Sequence, residues 1–254
     1  MAEEMSTVFV VGATGSIGLL AVAGALDAGY QTRALVRDLA RAGRLPEGAE
    51  VVVGDLTDPG TLREAVAGAT GIVFTHGSHG DARAAEMVDY GAVRNVLSVL
   101  TSPARIALMT AIGVTKHTAG HDWKRRGERL VRASGLPYTI VRPGWFDYNE
   151  PDQHRLVMLQ GDIRWASDPS DGVVSRAQIA QVLVASLTSD AADRKTLELV
   201  AENGPAQADL NPLFAGLQAD PADALDGVLD RDNMPLDQEP AAVVTELDAI
   251  RGRF

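Results

Sequence analysis

Short apolar runs alternate along this chain with longer amphipathic stretches. Residues 7–11, rich in β-branched side chains and stopped by Gly12, predict a buried strand. From 15 to 29 the positions Ile17, Leu19, Leu20, Ala21, Ala23 and Leu26 suit a helix ended by Gly29. Further strands are predicted at 32–36, 51–53, 71–75, 105–110 and 138–141. Between them lie predicted helices at 58–68, with Asp58 as N-cap and Pro59 in the first turn, and at 123–134, closed by Gly135. A third, at 82–100, carries Met87, Val88, Val93, Val96, Leu97 and Leu100 in one stripe. This alternation specifies an α/β fold, a doubly wound parallel sheet with helices on both faces.

After Gly144 the rhythm loosens. A helix is predicted at 175–187, a strand at 196–200, and short helices at 210–217 and 241–251. Leu213, Phe214, Leu217, Leu225, Val228, Leu229 and Leu247 make the last stretch too apolar for a free tail. The expected organisation is a nucleotide-binding domain with its substrate region over 1–204 and a helical extension over 205–254 packed on it.

Composition narrows the function. The chain has 254 residues, 46% of them hydrophobic, which suits one large soluble domain. Cysteine is absent, which excludes disulfides, a thiol nucleophile and thiolate metal sites. Net charge is −11, from 23 basic and 34 acidic residues, so no basic surplus exists to bind a phosphate backbone, and no nucleic-acid partner is expected. No apolar run approaches the roughly 18 residues of a membrane helix. The first five residues carry acids where a signal peptide carries bases. A cytoplasmic protein with no membrane partner is expected. Monomer and homodimer stay equally open, because an apolar helix face serves as core or as interface.

The chemistry begins at Gly12-Ala13-Thr14-Gly15-Ser16-Ile17-Gly18, which follows a strand and opens a helix. Glycines at this spacing let the backbone turn sharply and approach a pyrophosphate, and the helix N-terminus offers free N–H groups. An NAD site has an acidic residue about 20 residues on, at the end of the second strand. Here that position is Arg37, with Arg33 and Arg41 nearby. A guanidinium there pairs with a 2′-phosphate, so NADP(H) is expected over NAD(H). Asp38 leaves the other reading open, since it can turn to a ribose hydroxyl. Asp55 and Leu56, after the third strand, are placed to hold adenine. Thr75, His76 and Gly77 end the fourth strand, where ligands of open α/β sheets lie. His79 flanks the same loop.

The segments GATGSIG at 12–18, LVRD at 35–38, GDLTD at 54–58, WKRRGERLVRASGLPYTIVRPG at 123–144 and SRAQIAQVLVASL at 175–187 resemble the atypical short-chain dehydrogenase/reductases. Within these the likeness is to the NmrA-like, NAD(P)H-binding group, and it covers about 6–204. It implies a Rossmann domain with a small C-terminal substrate region. The group includes quinone, flavin and biliverdin reductases, isoflavone-type reductases and sensors without turnover, so fold and cofactor carry over better than reaction.

The family's catalytic set is a Ser on the fifth strand plus Tyr-x-x-x-Lys. Lys124 matches the Lys, but Gly120 stands at the Tyr position, and the Ser region reads Thr110-Ala111. Lys124 and Thr110 are the catalytic candidates that remain, both also facing the cofactor. Ordinary alcohol dehydrogenation is thereby placed in doubt, whereas hydride transfer to a flavin or quinone is not. His117 and His121 lie near the place of the missing Tyr. They are either proton donors or surface residues. Their spacing also permits a metal pair, but no partner motif accompanies it and no metal is expected. Pro143 and Gly144 fall on the nicotinamide side, and Trp145, Phe146 and Tyr148 follow them as a wall for a flat, apolar substrate. Arg176 reads as a surface charge or a helix-opening residue.

The leading expectation is a reductase that uses NADPH on a flat carbonyl, quinone-like or flavin-like small molecule. A redox sensor that reads NADP(H) without chemistry, and a non-redox tailoring protein on the same fold, are the alternatives.

Overall fold

The computed structural model describes residues 6–78 and 81–254. His79 and the acidic first five residues thus lie outside the described part. The chain forms β1 (Thr7–Val11), α1 (Ser16–Asp27), β2 (Gln31–Val36), β3 (Glu50–Val53), α2 (Pro59–Val66) and β4 (Gly71–Phe74). There follow α3 (Ala82–Ala84), a π-helical turn (Ala85–Tyr90), α4 (Gly91–Val99), β5 (Arg105–Met109), α5 (Ala119–Ala133) and β6 (Tyr138–Pro143). The remainder comprises β7 (Trp145–Phe146), β8 (Arg155–Leu159), β9 (Val173–Val174), α6 (Arg176–Ser186), β10 (Lys195–Glu202), α7 (Asn211–Ala215) and α8 (Ala241–Ile250).

The main sheet runs β3-β2-β1-β4-β5-β6-β10-β8. Seven of its strands are parallel, as βαβ crossovers require, and β8 joins antiparallel to β10 at one edge. The inner strands β1, β4 and β5 are apolar and buried on both faces. Phe9, Phe74, Ile106, Leu108 and Ile140 pack under α2, α4, α5 and α8. Val8, Val10, Val73, Ala107 and Val141 pack under α1 and α6. Caps fix the helix starts: the Asp58 carboxylate accepts from Gly60 N, and Ser175 and Gln178 form a reciprocal capping box at α6. No helix among the described residues is long and apolar enough to cross a membrane.

One strand had no sequence signal, and two expectations need correction. β8 is invisible as a strand, because RLVML carries no alternation and its partner β10 lies far along the chain, Arg155 pairing with Glu202. The helix expected at 123–134 begins a turn earlier, at Ala119, with the Thr118 hydroxyl accepting from His121 N. The stripe expected at 82–100 breaks at the π-helical turn. The extra residue in that turn rotates the register, so Met87 is 46% exposed while Asp89 and Tyr90 are buried.

Residues 205–254 are tied down by ion pairs rather than by apolar contact alone. Four arginines of α5 reach into this segment. Arg125 and Arg129 pair with Asp226, Arg126 with Glu239, and Arg132 with Asp220. At the centre, Arg142 of β6 is fully buried between Glu128 and Asp230, at 2.6 and 2.7 Å. Most of the charge run in 123–132 therefore anchors the C-terminal segment. Phe214, Val243, Leu247 and Ile250 are buried beside it, whereas Leu229 stays exposed.

Next to this network Glu198 of β10 is buried, with no partner for Oε1. Burial pushes its carboxyl up to about 7, against the pull of Arg142 and the Asp162 N–H. The folded group holds its proton above the pKa of the unfolded chain. Its favourable contribution is therefore full below about pH 4.5 and is lost as pH rises to 7. Glu198→Gln, which cannot ionise, should gain about 2 kcal/mol on wild type between pH 5 and pH 8, at roughly 1.4 kcal/mol per pKa unit. Urea unfolding at the two pH values measures this. Parallel behaviour of the two proteins would assign the titration elsewhere.

Candidate functional site

The glycine loop is built by steric necessity. Gly12 has φ +82°, and a Cβ there would stand 2.8 Å from the backbone nitrogen of His76. Gly18 lies inside α1, where a Cβ would meet Gly12 C at 2.8 Å and Ala13 Cα at 2.9 Å. Gly15 N donates to Gly12 O at 2.9 Å and closes the turn. Ala13 and Ile17 are buried beneath the loop, while Gly15 and Ser16 are exposed on it and Thr14 is half-buried. Gly15 is the N-cap of α1, and no side chain caps the helix. The first-turn N–H groups and the positive end of the helix dipole thus face outward over a close-packed backbone. This cradle fits a pyrophosphate, since side chains at Gly12 or Gly18 would fill it.

Arg37 follows the end of β2 and is exposed. Arg33 is not available to the same spot, because it bonds Glu50 and the Ala67 carbonyl. Asp38 Oδ1 accepts from Ala40 N at 2.9 Å, so that oxygen caps the following turn. Asp55, exposed, likewise caps its own turn. Its Oδ1 takes both the Thr57 N–H and the Thr57 hydroxyl at 2.8 Å, and these bonds, with a smaller pull from Arg37, hold the carboxyl below its ordinary range. Leu56 is half-buried, and its carbonyl accepts from the Asn95 amide.

At the end of β4 the Thr75 hydroxyl donates to Val11 O, and His76 is buried against Phe74. Burial lowers His76 to about 4 despite the adjacent Asp89, so the ring is neutral at pH 7. Gly77 lies exposed beyond it. Asp89 gathers this corner. It accepts from the Ser78 backbone and hydroxyl and from Lys124 Nζ at 2.6 Å. The π-helical turn is what aims Asp89 inward. Lys124 therefore faces a carboxylate, and a Cβ at Gly120 would meet nothing within 4 Å. Sequence reading missed Asp89, because helical periodicity with 3.6 residues per turn gives no sign of the π turn.

A cavity of about 530 Å³ opens at the carboxyl ends of β5 and β6. Ala111, Pro143, Gly144, Trp145, Phe146 and Trp165 make its walls mostly apolar. Gly144 is required there: a Cβ would stand 2.8 Å from Gly172 C, where the β7–β9 ribbon crosses the strand end. Two buried polar atoms, His121 Nδ1 and Trp165 Nε1, have no partner, and both residues line the cavity. The Arg231 guanidinium stacks 4.1 Å over the Trp165 ring.

Other candidates lie apart. The Thr110 hydroxyl donates to buried Glu128 at 2.7 Å, so its proton is committed to the ion network. His117 contacts Asp122 through Nδ1 and the Asn233 carbonyl through Nε2. Tyr148 is 59% exposed, edge-on to Trp145, and does not line the cavity. Lys116, Arg164 and Trp165 join the lining from loops that no sequence signal marked.

A parallel sheet wound on both faces, with a glycine cradle at its carboxyl edge, defines an atypical short-chain dehydrogenase/reductase-like, NAD(P)-binding protein. The NAD(P)H-binding family model matches residues 12–190, and the chain belongs to that family. Its relatives include reductases. The chain is 23% identical to sanguinarine reductase of Eschscholzia californica, over 82% of this chain and 95% of that protein. It is 30% identical to the chloroplastic protein TIC 62 of Oryza sativa subsp. japonica, over 79% of this chain and 47% of that one. The chain spans less than half the length of the TIC 62 proteins it matches. A putative NAD-dependent epimerase/dehydratase from Bacillus halodurans shares the fold, with TM-score 0.68 and 21% identity over 84% of this chain and all of that one.

Proposed function

We propose that this protein binds NADPH on the glycine loop and reduces a flat, largely apolar acceptor such as a quinone, flavin or conjugated carbonyl. The observation that carries the reading is the apolar cavity at the carboxyl ends of β5 and β6, on the edge of the sheet that holds the glycine cradle. The loop 12–18 holds the pyrophosphate through backbone N–H groups. Arg37, exposed and without an ion-pair partner among the described residues, takes the 2′-phosphate, while Asp38 is engaged in its cap. Lys124, braced by Asp89, hydrogen-bonds the ribose hydroxyls, and His76 stays neutral behind it. The reduced nicotinamide, when bound, supplies a hydride. Trp165 Nε1 and a protonated His121 Nδ1 both donate to an acceptor oxygen in the cavity they line. Such an acceptor needs no tyrosine, because its oxygen or nitrogen is protonated by solvent or by His121.

Loss of Arg37 tests the cofactor assignment. Arg37→Ala should weaken NADPH about 10–100-fold, as expected for a charge-assisted phosphate pair, and leave NADH unchanged. Tryptophan fluorescence titration reads both. Equal effects on the two nucleotides would remove Arg37 from the 2′ site. Turnover is read separately, as NADPH oxidation with soluble quinones and flavins. The second reading, an NADP(H) sensor, draws on Gly120 at the tyrosine position and on the committed Thr110 hydroxyl. It requires unequal affinity for NADPH and NADP⁺ with no acceptor turned over.

A further inference from the structure

Arg176 stands 160 residues from the glycine loop in sequence and touches it in space. Its Nε donates to Ser16 Oγ at 3.0 Å, at the first residue of α1. Among the described residues no other Lys or Arg side chain hydrogen-bonds a residue of the loop 12–18. The same guanidinium pairs with the Asp147 carboxylate and lies 5.4 Å over the Phe146 ring, which lines the cavity. Asp147 is held at φ +59° just after β7, and its Oδ1 accepts from Arg176 N at 3.0 Å. One side chain thus joins the cradle to the cavity wall.

We infer that Arg176 is a pyrophosphate-binding arm of the cofactor site, restrained in the free protein by Asp147. This inference rests on the dinucleotide reading above. The pair is solvent-exposed, 36% and 47% at the side chains, and exposed pairs are weakly held. A pyrophosphate on the α1 N-terminus carries two negative charges and offers oxygens in the geometry that a guanidinium binds bidentately. Arg176 therefore exchanges one carboxylate for the phosphates with little movement, since its Nε already lies on the loop. Asp147 is the competitor, so it lowers cofactor affinity.

The test is direct binding, by calorimetry, of NADPH and of adenosine 2′-monophosphate, which has the 2′-phosphate and no pyrophosphate. Wild type, Arg176→Gln and Asp147→Asn are compared. Asn tolerates the left-handed backbone and keeps an oxygen for Arg176 N. Arg176→Gln should weaken NADPH about tenfold and leave the monophosphate unchanged. Asp147→Asn should tighten NADPH several-fold, a gain that no folding defect produces. A purely structural brace predicts that both variants weaken NADPH, or that neither changes it; either result overturns the inference. Wild type that binds neither NADPH nor NADH would instead remove the dinucleotide reading itself.

Discussion

Gly18→Ala should abolish measurable dinucleotide binding at ordinary concentrations, with NADPH affinity down by about 100-fold or more, roughly 2.7 kcal/mol. The new methyl would collide with the Gly12 carbonyl and crowd the Ala13 Cα at 2.9 Å. Both neighbours are backbone, so no side-chain rotation relieves the contact. The loop or the start of α1 must move, and the N–H groups move with it. Overpacking of this kind also destabilises by about 1–3 kcal/mol. Gly120→Ala is the matched control. A Cβ there meets open space within α5, and alanine is the better helix former by about 1 kcal/mol. Isothermal titration of both variants with NADPH measures the difference. Normal binding by Gly18→Ala would mean that the ligand does not rest on this loop.

The second large effect is on stability. Arg142→Met should cost about 3–5 kcal/mol, because it strips buried Asp230 of its ion-pair partner and buried Glu128 of the closer of its two. That is a large share of the roughly 5–15 kcal/mol that a domain has in total. Burial raises Glu128 and Asp230, but the Arg142 charge and hydrogen bonds outweigh it and hold both below their ordinary range. Carboxyls whose folded pKa is depressed stabilise above their unfolded pKa, near 4, and lose that contribution as pH falls below it. Wild type should therefore lose stability steeply under acid, and Arg142→Met should lose less. Arg142 grips Asp230 directly, so residues 220–239 should become the first protease site in the variant. Denaturant unfolding with limited proteolysis checks both points. A cost under about 1 kcal/mol would mean that the network is energetically neutral, which the buried geometry argues against.

The resemblance block at 123–144 shows how far a local reading reaches. Its pattern gave α5 and β6, and its lysine lies against Asp89 beside the end of β4. The arginines at 125, 126, 129 and 132 look like a solvated face in one dimension. Three of these four are buried, and their partners lie about 90–115 residues away in a segment whose acids look unremarkable. The same limit hid Asp89, whose direction depends on one extra residue in a helical turn. It also hid Arg176, which reads as an ordinary first-turn residue of α6 until β10 and β6 bring that helix beside α1.

By itself the sequence determined what short range determines. Apolar runs fixed the parallel strands, caps and glycines fixed where helices begin and end, and the glycine spacing fixed the cradle. These are set mainly by sterics and hydrogen bonds among residues within a few positions, with the β4 end at His76 closing in on Gly12. Tertiary structure alone decided which charges became core, which histidine lines the cavity, and which cation meets the glycine loop. Those outcomes depend on distances between elements far apart in the chain. Periodicity carries no information on such distances, and only the closed sheet sets them.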